Sequence, residues 1–419
     1  MQITIRRGRD IPFPGAPAQA LRDGAPVGAV ALQGSDFSSL RPFFHVEVGD
    51  KVAEGQPILI DRRRPEIAFV SPASGTIVAL NRGHRRTLDS VVVRVNGEQA
   101  KTFSPPRRPD NASVRSLLLE SGQWPAFRTR PFERIPDPSA VPAAIFVTAM
   151  STEPLSANAA VVLQPHVEQF KAGLEAIRHL ASGPLFVCRG ADPGYPAIDA
   201  DDQVRVVEFG GPHPAGLPGT HIHFLRPAGR QRQVWHICYQ DVIAVGHLMQ
   251  TGRIWTQRVI SMAGPAVRAP GLVRTCLGAD LNDLLADELT EGDVNVISGS
   301  VLSGRPAHYL GRYHAQVTAL RTRQPERKYG ITASLAEFLR RCEAASIIPI
   351  AAYDNVMPLD IFAVPLLRAL SIGDIETAES LGCLELAEDD MQLLSHVCPA
   401  KLDYGALLRR TLNEIEKQM

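Results

Sequence analysis

Hydrophobic and polar positions alternate with a period near two through much of the first hundred residues. Short runs at Val27–Leu32, Ile58–Asp61, Ile67–Val70, Thr76–Leu80 and Val91–Val95 are separated by Gly, Pro and Asn, a pattern that predicts an all-β segment with tight turns. The period then changes. Ala143–Thr148 is a continuous apolar run, as expected of a parallel strand buried on both faces. Val167, Phe170, Leu174, Ile177 and Leu180 step by three or four along one face of a helix over 166–181. Pro184–Cys188 and Val204–Phe209 follow as strands, so strand, helix, strand predicts a Rossmann-like α/β layer. Leu272–Leu320 reads as a compact α+β module, and from Ser334 onward the pattern is mainly helical.

Two proline-bearing stretches, Ser104–Pro109 and Pro131–Pro142, read as linkers. The chain has 419 residues, more than one ordinary core, and divides into units at 1–103, 110–257, 258–325 and 330–419. Its 44 basic and 44 acidic side chains balance, which removes the electrostatic argument for nucleic-acid binding. No apolar run reaches the roughly 20 residues needed to span a bilayer. The nearest, Ile347–Leu370, is interrupted by Asp354, Asn355, Pro358, Asp360 and Pro365. Met1–Arg6 alternates like a strand and lacks the apolar region of a signal peptide, so a cytoplasmic chain is expected, with any membrane role exerted through partners. Cysteines at 188, 238, 276, 342, 383 and 398 fit no zinc or CxxC spacing and read as reduced thiols.

Val48–Gln56 followed by Ser71–Val78 resembles the hammerhead of biotinyl and lipoyl domains, where glycines set turns between short strands. Carrier domains present a lysine on the hairpin between the halves. This chain has Ile60-Asp61-Arg62-Arg63-Arg64-Pro65 there, and arginine cannot form the carrier amide, so the run is either a solvated turn or part of a docking face. After the strand at 143–148 comes Ala149-Met150-Ser151-Thr152-Glu153-Pro154, without the GxGxxG turn that brings backbone N–H groups to a dinucleotide phosphate. Upstream, Trp124, Phe127 and Phe132 are interspersed with Arg128 and Arg130 in a proline-flanked loop. Rings and guanidinium groups of this kind suit a planar ligand such as a quinone headgroup, or else anchor the linker to the core. Phe43, Phe44 and His45 form a second candidate cluster. His221 and His223 are expected on one face of a strand, with His213 as the only further metal ligand in reach, and a structural or interface role is preferred for them. No catalytic constellation stands out by spacing.

Several strings resemble the A subunits of Na+-translocating NADH:quinone oxidoreductases, the NqrA family. They include Phe127-Arg128-Thr129-Arg130-Pro131-Phe132, Gly211–Gly216 with Gly219–His223, Val234–Ile243, Arg258–Pro265, Val296–Gly304, Val356–Ile361, Leu381–Leu386 and Val397-Cys398-Pro399. The likeness runs essentially end to end, with a shorter connection around Gly304–Tyr329. It implies a barrel-sandwich domain, a Rossmann-like domain related to the flavin subunit of respiratory complex I, a β-grasp module of the soluble-ligand-binding type and a helical C-terminal region. In relatives carrying FMN a glycine-rich loop grips the cofactor; the loop at 122–132 takes that place here, and Glu153-Pro154 resembles a remnant of the nucleotide-site strand end.

The resemblance further implies a translocase that oxidises NADH, reduces ubiquinone and exports Na+. This subunit would bind no cofactor and hold no complete catalytic site, while NADH, flavins and Fe–S centres belong to the other subunits. It would lie peripherally on the cytoplasmic side of the bacterial inner membrane, against chiefly membrane-embedded partners, and help shape quinone access. On that expectation Trp124, Phe127, Arg128, Arg130, Phe132, Phe43, Phe44 and His45 are the quinone-contact candidates. Alternatives are a pure scaffold, a free-standing β-grasp binder, or an Rnf-type C subunit that has lost its clusters. The Rnf C subunit needs several converging thiolates, and Cys398-Pro399 has its nearest cysteine 15 residues upstream.

Overall fold

The computed structural model describes residues 1–83, 87–322, 347 and 349–418. The helical expectation over 334–346, the end of the 304–329 connection and Cys342 fall outside them.

The alternating runs of the first hundred residues form two antiparallel sheets. One contains Ala29–Gln33, Leu88–Val95, Gly75–Arg82 and Lys51–Val52, the other Pro42–Phe44, Pro57–Asp61 and Arg64–Val70. Ile58, Ile67, Ile77, Val91 and Val93 fill the space between them. Gly49 at φ +101° makes one of the hammerhead turns, a conformation in which a side chain would be strained. The first 23 residues behave differently. Gln2–Thr4 adds a parallel edge strand beside Val204–Gly210, and Ala18–Asp23 pairs with Gly271–Cys276. This segment straps two other sheets, with Ile5 buried in the core beneath the first of them.

The continuous apolar run becomes the strand Ile145–Ala149, flanked in parallel by Leu185–Arg189 and Val234–Cys238. The full order is Gln2–Thr4, Val204–Gly210, Leu185–Arg189, Ile145–Ala149, Val234–Cys238 and Arg128–Arg130, the last of these antiparallel. Helices cover both faces, as burial of Ile145, Phe146 and Val147 requires. Val167–Arg178 packs on Tyr239–Thr251 through Gly173 and Gly246, where an added Cβ on either would collide with the other helix's backbone. This domain and the barrel share one core that runs from Phe69 through Val114, Leu118 and Trp124 to Trp235.

A third sheet contains Gln257–Ala263, Gly271–Cys276, Val294–Ser298, Arg305–Pro306 and Gln316–Arg321 and encloses its own core around Ile260, Val273, Leu284 and Val317. The C-terminal helices, from Ala351–Val356 to Tyr404–Gln418, close around Leu366, Leu370, Leu394, Tyr404 and Leu408. No helix among the described residues is long and apolar enough to cross a membrane.

Candidate functional site

The strand Ile145–Ala149 has Leu185–Arg189 on one side and Val234–Cys238 on the other. Chain order therefore reverses between Ile145–Ala149 and Val234–Cys238, and the carboxyl ends of such a strand pair open a crevice where ligands of open α/β sheets bind. A cavity of about 430 Å³ lies there, within the range of about 300–1,000 Å³ usual for small-molecule sites. Thr148, Ser151 and Glu153 reach it from the first strand end, and Cys238, Tyr239 and Asp241 from the second. Arg305, Arg312 and Tyr313 line it from the third sheet, and Glu388 and Asp389 from the C-terminal helical region. Asp36 of the barrel completes the wall, so every region of the chain contributes.

Ion pairs hold these regions together. Asp241, in the first turn of the helix Tyr239–Thr251, binds Arg258 and Arg312, the latter at 2.9 Å. Asp36 pairs with Arg305 and accepts the Arg312 backbone N–H at 3.0 Å. Arg130 is buried between Glu133 and Asp390, and its Nη1 is 3.2 Å from His236 Nε2, which is also 3.0 Å from Glu133. Burial, then Arg130 and Arg128, hold the His236 imidazole well below its ordinary range, so it is neutral near pH 7. Glu153 is pushed up to about 8 by burial and then by Asp389, and the Ser303 hydroxyl opposes this. Arg128 Nε, Thr148 Oγ1 and Glu153 Oε2 are enclosed without hydrogen-bond partners among the described residues, and all three side chains line the crevice. Glu133 lies 3.6 Å from Arg128 Nε as an ion pair. Orphaned polar atoms on three side chains that line one cavity point to a polar ligand or ordered water.

The sequence candidates separate. Arg128 lines the crevice with its guanidinium 4.4 Å from the centre of the Tyr313 ring. Trp124 and Phe127 are fully buried behind it and pack against Trp235 at 5.4 and 5.6 Å between ring centres. The Trp124 Nε1–H donates to the Pro136 carbonyl at 2.9 Å. Phe132 packs against the C-terminal helical core, and its carbonyl accepts from Arg409 at 2.8 Å. Phe43, Phe44 and His45 lie on the barrel and do not line the crevice; Phe43 is 45% exposed, against the His45 ring and the Arg62 guanidinium.

His221 and His223 stand on a helix, Pro218–Leu225, not a strand, because Pro218 opens a helical turn and residues 220–225 continue it. His221 is buried on the Phe209 ring with Nε2 3.0 Å from the Ala215 carbonyl, whereas His223 Nδ1 is 2.8 Å from Glu385. Among the described residues no cluster of three metal-ligating side chains forms. Sequence patterning does not single out Asp241, His236, Ser303, Arg312 or Asp389. Each is a single polar residue in a strand, a helical turn or a loop, a signal too frequent to select them.

The chain matches three family models: the NqrA N-terminal barrel-sandwich hybrid domain over residues 3–96, the NqrA second alpha/beta domain over 109–254, and the NQRA C-terminal domain over 259–308. It is 44% identical to the A subunit of the Na(+)-translocating NADH-quinone reductase of Actinobacillus pleuropneumoniae serotype 5b, over 99% of this chain and 100% of that protein. The corresponding A subunits of Histophilus somni strain 2336 and Photorhabdus laumondii are 44% and 42% identical over the same shares. A chain of the NAD+-reducing [NiFe]-hydrogenase crystal structure in the air-oxidized state is 14% identical, with a TM-score of 0.39, covering 73% of this chain and 63% of that one. Identity over the full length of the A subunits, with three matching domains in one order, shows that the chain belongs to the NqrA family of Na+-translocating NADH-quinone reductases.

Proposed function

We propose that the chain serves as the A subunit of a complex that couples NADH oxidation and quinone reduction to Na+ export, and that the strand-end crevice is where this chain meets the quinone headgroup. The observation that carries the second half is the orphaned set, Arg128 Nε, Thr148 Oγ1 and Glu153 Oε2, on three side chains that line one cavity at the reversal of chain order. A quinone ring is planar and presents carbonyl acceptors to such donors. Arg128 is the sequence candidate best placed for contact, with Trp124 and Phe127 supporting the wall behind it.

On this reading the sheet domain is Rossmann-like, the third region is a β-grasp module, and the units follow the divisions at 103, 257 and 325. NADH, flavins and Fe–S centres reside on other subunits. Two features disfavour a dinucleotide phosphate in the crevice: the strand end lacks a glycine-rich turn, and Asp241 and Asp389 line the space a phosphate would take. The chain docks on the cytoplasmic side of the membrane against membrane-embedded subunits, with Phe43, Phe44 and His45 on an outer face suited to contact.

Titration of the purified chain with a soluble ubiquinone analogue, followed by tryptophan fluorescence with an inner-filter control, tests the proposal. Saturable binding in about the micromolar range is expected, and Arg128→Ala weakens it. Absence of saturable binding overturns the quinone assignment and leaves the chain as a scaffold of its complex.

A further inference from the structure

Glu153 sits where three regions meet. It follows the central strand Ile145–Ala149, its Oε1 accepts from the Ser303 hydroxyl of the third region at 2.9 Å, and Asp389 of the C-terminal region lines the same crevice. Oε2 is enclosed and has no hydrogen-bond partner among the described residues. An ionised carboxylate left in that state carries a large desolvation cost, while a protonated one needs only an acceptor for its O–H. Ser303 is itself fixed, since its backbone N–H donates to Ser300 Oγ at 3.1 Å. The carboxyl therefore has a defined orientation, with the Ser303-bonded oxygen on one side and the orphaned oxygen on the other. Thr148 Oγ1, the hydroxyl among the crevice's orphans, comes from the same strand end.

The charges around Glu153 favour the protonated form. Asp389 and Glu388 approach from the C-terminal turn, and Asp389 is the one that acts on Glu153. Asp389 titrates higher than an ordinary aspartate, at about 6, through loss of solvent and then Asp390, with Arg130 opposing. It is therefore negative near pH 7 and repels a second charge on Glu153. Arg305 and His314 line the crevice from the third region, but Arg305 is committed to Asp36 and His314 is held near 4, first by burial, so it is neutral. Arg128, Glu133 and His236 line it from the sheet domain, with Arg128 and His236 both engaged by Glu133. Asp241, Arg258 and Arg312 also border the crevice, and they pair with one another.

We propose that Glu153 is the hydrogen-bond donor for the crevice's ligand: its Oε2–H is given to one carbonyl oxygen of a bound quinone-type headgroup, with the Thr148 hydroxyl as a second donor. Asp389 is a positioning residue, which acts by keeping the proton on Glu153. The inference rests on the quinone reading of the crevice and assigns the group that recognises the carbonyl.

The test is the same fluorescence titration on the full-length chain with a soluble ubiquinone analogue, repeated between pH 6 and pH 9. Native affinity is expected to fall about tenfold between pH 7 and pH 9 as Glu153 ionises. Glu153→Gln keeps an N–H donor at that position, so its affinity stays flat over the same range. Asp389→Asn removes the negative charge that holds the proton on Glu153. The carboxyl then ionises more readily, and the fall in affinity is expected at lower pH than in the native chain. A Glu153→Gln chain that keeps the native pH slope, or an Asp389→Asn chain with an unmoved transition, overturns the inference while leaving quinone binding intact. Absence of binding by the native chain at every pH overturns the quinone reading and this inference together.

Discussion

The loop around Trp124 and the strand Pro42–Phe44 carry the same mixture of rings and arginines. In the first, Trp124 and Phe127 are 0% exposed, locked against Trp235 from a strand more than a hundred residues away. In the second, Phe43 is 45% exposed, and its neighbours are the His45 ring and the Arg62 guanidinium. The first stretch is a wall that the crevice is built on; the second is surface. Side-chain type sets what each group can do, but enclosure decides which of those things it does. A guanidinium shows the same contrast: Arg130 is buried between Glu133 and Asp390, while Arg62 stands exposed on a hairpin turn.

Trp124 offers the severest trial of this contrast. Trp124→Ala is expected to cost about 3–5 kcal/mol of stability, the range for a large buried ring, measured by urea unfolding. A cost under about 1 kcal/mol would place the ring outside the core and remove the distinction between wall and surface. Next comes the neutral His236 beside Arg130. Its imidazole titrates lower in the folded chain than the ordinary 6.5, so the unfolded chain binds the proton first as pH falls. Stability from this group is fully present above the unfolded value and is lost on acidification, between pH 7 and pH 5. His236→Gln should remove that component, seen as a smaller change in unfolding free energy between the two pH values. The exposed strand should respond least: Phe43→Ala and Arg62→Ala should each change stability by about 0.5 kcal/mol or less in the same urea experiment. A larger cost would mean that the barrel face is packed and not available for docking.

Much of the architecture is legible from periodicity. The apolar run at 143–148, the helical stripe from Val167 to Leu180 and the alternating strands of the barrel all report local burial, which repeats at the spacing of the element. His221 and His223 read as strand residues because two positions two apart fit a strand as well as one turn of a short helix. The choice falls to Pro218 and the packing on Phe209. The aromatic loop is unusual as a string, and anchoring is one of the two readings open to it. Its enclosure by Trp235 cannot be seen from either segment alone.

Neighbouring residues and their order suffice for most of the strands and helices, for the lack of a carrier lysine at 62–64, and for the strings by which the chain belongs to its family. Three-dimensional packing is what makes the first 23 residues strap two other sheets, and what brings Asp36, Glu153, Ser303 and Asp389 to one crevice. Packing also keeps the proton on Glu153, because desolvation and the Asp389 charge act through space over short distances and not along the chain.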